Sequence, residues 1–295
     1  MGFDSSVARA MWAASEPFGG AGLLNAEVRA VVKPLGIGGM QSFFAVRSAP
    51  MGAAAPPVVI AAFHGFAPEL VFKAVVELWE LVTPKAMISI SHDGFAGFAR
   101  RTFGEDYPVE QLTASTEVLA RAIANLDVAG HPLAAGNQAV DLPDDPWARL
   151  WRCATAAREF RGDSHVAALV AHDLNSAESQ ALSTAWKPDG YDLTMLRRTR
   201  GISDEAWAAA IDALTSRGLL NGSHELTSAG ADLRAQIELQ TDEASMRIWN
   251  QFSTDELVEL HTLMTSLSAT VMGDNTGQSR SAVSVPWPPP ALAVA

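Results

Sequence analysis

Residues 158–174 read REFRGDSHVAALVAHDL, which sets two arginines, an aspartate and two histidines among alanines and aliphatics. Side chains of these types can hold an anion and move a proton. One helix is expected to stop near Gly162 and Asp163 to cap the next, which places His165 in its first turn. There the helix dipole favours a neutral imidazole and attracts an anion. Arg161, free backbone N–H groups and His165 would converge on one spot, a cradle for a carboxylate or an enolate. In that arrangement His165 is the candidate catalytic base and Asp163 the candidate orienter of its ring. A plainer use of the same residues is Asp163 as a cap alone and His165 as a core histidine satisfied by backbone.

The helix before this stretch starts at an Asp144 or Asp145 cap with Pro146 in its first turn and runs to about Phe160. At roughly 100° per residue, Trp147, Leu150, Trp151, Ala154 and Ala157 share one face, with Arg158 inside it and Arg161 at its edge. Arg149, Arg152 and Glu159 fall on the opposite face, read as solvated. A buried arginine needs an acceptor. Arg158 and Arg161 therefore pair with internal carboxylates or bind an anionic ligand. His64, close to Phe63 and Phe66, and Arg47, in a Gly/Pro-punctuated connection, are further ligand-binding candidates against the same corner.

Other chemistry is thinner. His92-Asp93 and His172-Asp173 lack the further spaced ligands of a metal site, so no metal is assigned. No spacing supports haem or metal at His64 or His165, and the cofactor is unknown. Cys153 has no local base and reads as a small core residue. LGIGGM lacks the spacing of a dinucleotide loop, and neither a Walker A motif nor a nucleophile elbow occurs.

The chain has 295 residues, 48% of them hydrophobic, enough for a real core and for about two domains. Abundant alanine and short strand-favouring runs predict a mainly α protein. A formal charge of −12 opposes a role centred on covering phosphates. A lone cysteine and an N-terminus without an apolar leader predict a cytoplasmic location. No uninterrupted apolar run reaches about 18 residues, so no membrane span is expected.

Four regions are expected: a helical N-terminal region over 1–143, a central buried helix pair over 144–175, a winged-helix domain with a closing helix over 176–272, and a flexible tail over 273–295. The tail is rich in Gly, Ser and Pro around Trp287. Asn175 and Glu178 have capping-box spacing. Two short helices then lead to RGLL-NGS-HELT, whose Asn-Gly step suggests a small two-stranded wing, and Thr227 caps a further helix.

FFAVRSAPMG, FHGFAPELV, DDPWARLWRCATAAREFRGDSHVAAL and TRGISDEAWAAAIDALTSRGLL with LTSAG resemble an actinobacterial family of helix-turn-helix proteins, over roughly residues 8–270. RGLL and LTSAG also resemble the wing and final helix of MarR-type regulators. The resemblance implies a DNA-binding shape but no reaction and no ligand. It also implies Tyr more often than His at position 64, which argues against His64 as a general ligand of the family.

Charge speaks against direct DNA contact. The helix expected over 203–216 has three acids and no Lys or Arg, and residues 176–240 hold nine Asp/Glu against six Lys/Arg, a net of −3. Arg197, Arg198 and Arg200 precede that helix and suit either phosphates or nearby carboxylates. The leading expectation is a small-molecule-binding protein whose ligand is apolar with an anionic or oxyanion-forming group. Any chemistry would be cofactor-independent acid–base catalysis of the lyase, isomerase, cyclase or hydrolase kind. The alternative is a ligand-responsive winged-helix transcriptional regulator, acting as a homodimer.

Overall fold

The computed structural model describes residues 3–23, 25–187, 192–273 and 285–293. The N-terminal part comprises α1 (Ser6–Ala21), α2 (Ala26–Val32), α3 (Gly39–Ser48), α4 (Pro56–Ala62), α5 (Pro68–Val75) and α6 (Leu78–Leu81). It continues through α7 (Pro84–Phe103), α8 (Glu110–Ala124) and α9 (Pro132–Gln138). Then come α10 (Pro146–Ala171), α11 (Ser176–Trp186), α12 (Leu193–Arg200), α13 (Asp204–Ser216), α14 (Ser228–Trp249) and α15 (Thr254–Met272).

Helix α10 is the axis of the molecule. It starts at the Asp145 cap, whose side chain accepts from the Ala148 N–H, and it runs unbroken for 26 residues. The expected central helix pair over 144–175 is thus one helix, and Gly162 does not interrupt it. The reason is burial: Ala148, Leu150, Trp151, Cys153, Ala156 and Phe160 lie on every side of the helix and all are buried. A helix apolar all round is held by its neighbours, and packing overrides the roughly 1 kcal/mol helix cost of one glycine. Helices α1, α7, α8, α9 and α14 pack around it.

Two cores result. The larger gathers α1 to α10 with the last turns of α14 and with α15, around Phe18, Phe44, Phe95, Trp151 and Leu260. The smaller joins the end of α10 (Ala168, Leu169) to Leu182, Leu214, Leu220 and Ile237. Helices α10 and α14 contribute to both.

The mainly α expectation matches the structure, but the winged-helix reading is corrected. Among the described residues there is no β-strand, only an isolated antiparallel bridge between Leu220 and Leu226. A tight turn replaces the ladder: the Asn221 side chain accepts from the Ser223 and Glu225 N–H groups. Gly218, at φ 69°, stops the chain just after α13, and the Thr227 side chain already caps α14. The arms between these stops are too short to form strands.

One loop reading also changes: the Gly/Pro-punctuated connection holding Arg47 contains α3. In the expected flexible tail, residues 285–293 are described and lie against the body: Val285 is buried and Leu292 packs against the larger core. Residues 274–284 and 294–295 of that tail lie outside the described residues. Among the described residues no single helix is long and apolar enough to cross a membrane.

Candidate functional site

A partly open pocket, whose space of about 470 Å³ includes solvent outside its mouth, lies between α1, α8, α10, α14 and α15. Met11, Trp12, Trp249, Leu260 and Met264 make it largely apolar, and Glu16, Arg158 and Arg161 are the charged residues in its wall. Helical spacing explains the charged pair: Arg158 and Arg161 are three apart on α10 and so sit on adjoining turns of one side.

Two ion networks flank the pocket. In the first, Arg158 donates to Glu16 at 2.7–3.0 Å and to Glu159 at 3.0 Å. Arg47 donates a fork to the same Glu159 at 3.0 and 2.5 Å and lies 4.6 Å over the Phe63 ring. Burial alone would raise the Glu159 pKa, but the two guanidinium groups outweigh it and hold the carboxyl below its usual range. This network is balanced, with two cations against two anions. Glu159 is 1% exposed and Arg152 is 2% exposed, so the face read as solvated is buried. Of the three residues placed there, Arg149 alone is half-buried, paired with Glu117.

The second network lies where α10 meets α1 and α14. Arg161 donates to Asp242 at 2.9 Å and lies 4.3 Å over the Trp12 ring. Arg9 donates to the other oxygen of Asp242 at 2.9 Å, pairs with Glu238, and lies over the same ring at 5.3 Å. Arg234 also pairs with Glu238. Burial would raise the Glu238 pKa, yet Arg234 and Arg9 hold it well below the ordinary carboxylate range. Burial followed by the charge of Arg9 lowers the pKa of Arg161.

The expected catalytic pair is not assembled. His165 is in mid-helix, away from any helix start, and its Nδ1 lies 2.9 Å from Thr241 Oγ1. Since the Thr241 hydroxyl gives its proton to the Ile237 carbonyl, the His165 Nδ1–H is the donor. Burial pushes the His165 pKa down to about 3, so the ring is neutral for want of solvent rather than by a helix dipole. Asp163 lies on the other side of α10, roughly 200° away at 100° per residue. It accepts at 2.9 Å from the Ala134 N–H in the first turn of α9. Asp163 is therefore a cap, but for a different helix: it completes α9, whose own His131 supplies no side-chain cap.

His64 donates or accepts nothing at the pocket. Its Nε2 lies 2.9 Å from the Leu174 carbonyl, where the turn between α4 and α5 meets the residues just after α10. Of the six residues singled out from the sequence, Arg158 and Arg161 line the pocket, Arg47 reaches it only through Glu159, and His64, Asp163 and His165 do not line it. Sequence reasoning missed the carboxylates Glu16, Glu159, Glu238 and Asp242. The arginines' need for acceptors was legible, but Glu16 and Asp242 lie 142 and 81 residues from their partners, beyond any local pattern.

His92 and Arg152 form a separate buried contact, with Arg152 Nε donating to His92 Nε2 at 3.0 Å and Nη1 to Asn137 at 2.6 Å. Burial and that adjacent cation take His92 down to about 4. Burial also pushes the Cys153 thiol up to about 12, which makes it a packing residue rather than a nucleophile. Among the described residues no group of three His, Cys, Asp or Glu is placed to hold a metal ion.

At the C-terminal side, α12 and α13 meet through Gly201, which takes φ 71° beside Leu70. Short helix, left-handed glycine turn and second helix make this a helix-turn-helix pair carried on a helical body. The family model described as "Helix-turn-helix family" matches residues 8–277, and the chain belongs to that family. Neither a curated protein nor a solved structure matches it. The likeness to MarR-type regulators is withdrawn, since the strand pair that carried it is absent among the described residues.

Proposed function

We propose that this protein is a ligand-responsive helix-turn-helix regulator, in which a small apolar molecule in the α1–α10–α14–α15 pocket repositions the α12–α13 pair. The observation that carries this reading is the dual use of α14. Its start packs against the turn that follows α13, so closely that a side chain on Gly230 would meet the Leu219 carbonyl at 2.1 Å, and its Ile237 shares the smaller core with Leu214 of α13. Its last turns supply Ser245, Ile248 and Trp249 to the pocket. A ligand that shifts the end of a rigid helix also shifts what rests on its start.

The acidic α13 limits how DNA would be held. Asp204, Glu205 and Asp212 are exposed on it, and it carries no Lys or Arg. Of the arginines on α12, Arg197 pairs with Asp204 and lies over Trp207, while Arg200 lies 4.3 Å over Phe66. Arg198 is exposed. Phosphate contact therefore rests on Arg198 and on the pairing of two copies, and the reading predicts weak, salt-sensitive binding.

Selection of duplexes from a random pool by the purified protein tests this. A defined enriched sequence is expected, with Arg198→Ala weakening binding and lowering the salt slope by about one. Arg197→Ala is expected instead to loosen the α12–α13 junction. Failure to enrich any sequence at low salt rejects the regulator.

A further inference from the structure

We propose that the pocket ligand is a hydrophobic organic acid whose carboxylate docks on Arg161, held there by a surplus positive charge in the seam between α1, α10 and α14. This rests on the ligand-binding half of the reading above and names the ligand's chemical class.

The argument starts from a count. Among the described residues, Arg9, Arg161 and Arg234 share two carboxylates, Glu238 and Asp242, one anion fewer than the arginines they answer. The side chains of Arg161 and Arg234 are only 12% and 10% exposed, so water does little to make up the difference. His165 and Lys187 also face this seam among the described residues: His165 is neutral and donates to Thr241, and Lys187 is a further cation whose pKa burial lowers, so neither adds an anion. A buried unpaired charge costs several kcal/mol and is ordinarily matched by a counter-ion.

Hydrogen bonding gives an independent sign of the same deficit. Arg161 Nε, Arg234 Nε and Arg234 Nη1 are buried and have no acceptor among the described residues. By contrast, in the neighbouring network Arg47 and Arg158 fork onto Glu159 and Glu16, and no buried nitrogen of either is left without a partner. The unfilled donors thus fall in the network that has too few acceptors.

The position fits a two-part ligand. Arg161 belongs both to this seam and to the pocket wall, and Trp12 lies under Arg161 and Arg9 while lining the same pocket. An apolar body against Met11, Trp249 and Met264 would put its acid group within the reach of Arg161. A neutral ligand would fill the pocket and leave the surplus charge unmatched. A cation would add to it.

Calorimetric titration of the whole protein with decanoate and with decan-1-ol tests this, since the two differ in the charged end alone. Decanoate is expected to bind roughly ten- to a hundred-fold tighter, the range for hydrogen bonds to a charged group. Arg161→Gln is expected to abolish that preference. Arg234→Gln, outside the pocket wall, is expected to reduce it by removing the surplus charge. Circular dichroism on each variant confirms that the helices are retained. Equal binding of acid and alcohol by the parent protein, no binding of either, or a preference that survives Arg161→Gln overturns the proposal. The duplex selection is scored separately: acid binding without DNA binding keeps this inference and rejects the regulator, and the reverse keeps the regulator alone.

Discussion

Asp163 and His165 are two residues apart, yet burial moves their protonation in opposite directions. Burial raises the Asp163 carboxyl from 3.8 to about 7, with Glu159 adding to it against the pull of the Ala134 N–H. The folded chain then holds a proton that the unfolded chain releases, so this residue's contribution falls as pH rises from about 4 to 7. Asp163→Asn keeps an acceptor for the Ala134 N–H and carries no charge. It is expected to be more stable than the parent above pH 7 by on the order of 1–3 kcal/mol, with the gap closing toward pH 4. His165 behaves conversely: its pKa is lowered from 6.5 to about 3, so stability is lost as pH falls through that window. His165→Gln should flatten the acid side of the profile. Urea melts at several pH values read both slopes, and a D163N curve parallel to the parent's between pH 4 and 7 would contradict the assignment.

At the scale of elements, the continuity of α10 is the main departure from what local pattern suggests. Gly162 followed by Asp163 has the look of a stop and a cap, and both readings hold for an isolated segment. In the folded chain the cap is given to α9 and the helix continues through the glycine. A Cβ at Gly162 would meet only Glu159 Oε2, at an ordinary 3.7 Å. Gly162→Ala is therefore expected to stabilise the protein by about 0.5–1 kcal/mol, measured by denaturant unfolding. A clear loss of stability would mean that the residue needs a conformation alanine cannot take. Where the signal is purely local, the sequence is a good guide. The Asn175–Glu178 capping box, the Asp145 cap ahead of Pro146 and the Thr227 cap are all present. Their bonds span three residues, so no distant packing intervenes.

At the scale of the whole molecule, α10 and α14 tie the helix-turn-helix pair to the body. Arg217 reinforces the tie, donating to the carbonyls of His172 and Asp173 at 2.9 and 2.8 Å where α10 ends. The body and the helix-turn-helix should therefore unfold together. Gly230→Ala forces a Cβ onto the Leu219 carbonyl and is expected to cost about 2 kcal/mol or more. That loss should appear equally in near-ultraviolet circular dichroism, which follows the body tryptophans, and in hydrogen exchange of the α13 amides. Two separated transitions would break the coupling on which the regulator reading depends.

The sequence by itself determined the helical class, the main caps, the acidic character of α13, and the need of Arg158 and Arg161 for acceptors. These follow from composition, from bonds between near neighbours, or from the cost of burying a charge. Tertiary structure alone decided which carboxylates answer those arginines, which helix Asp163 caps, and that His165 faces Thr241 rather than the pocket. It also decided that the turn after α13 closes on Asn221 instead of opening into strands. Each of these turns on groups far apart in the chain or on the space left between packed helices. Pairing at such range is set by how the helices dock, and no residue spacing along the chain records it.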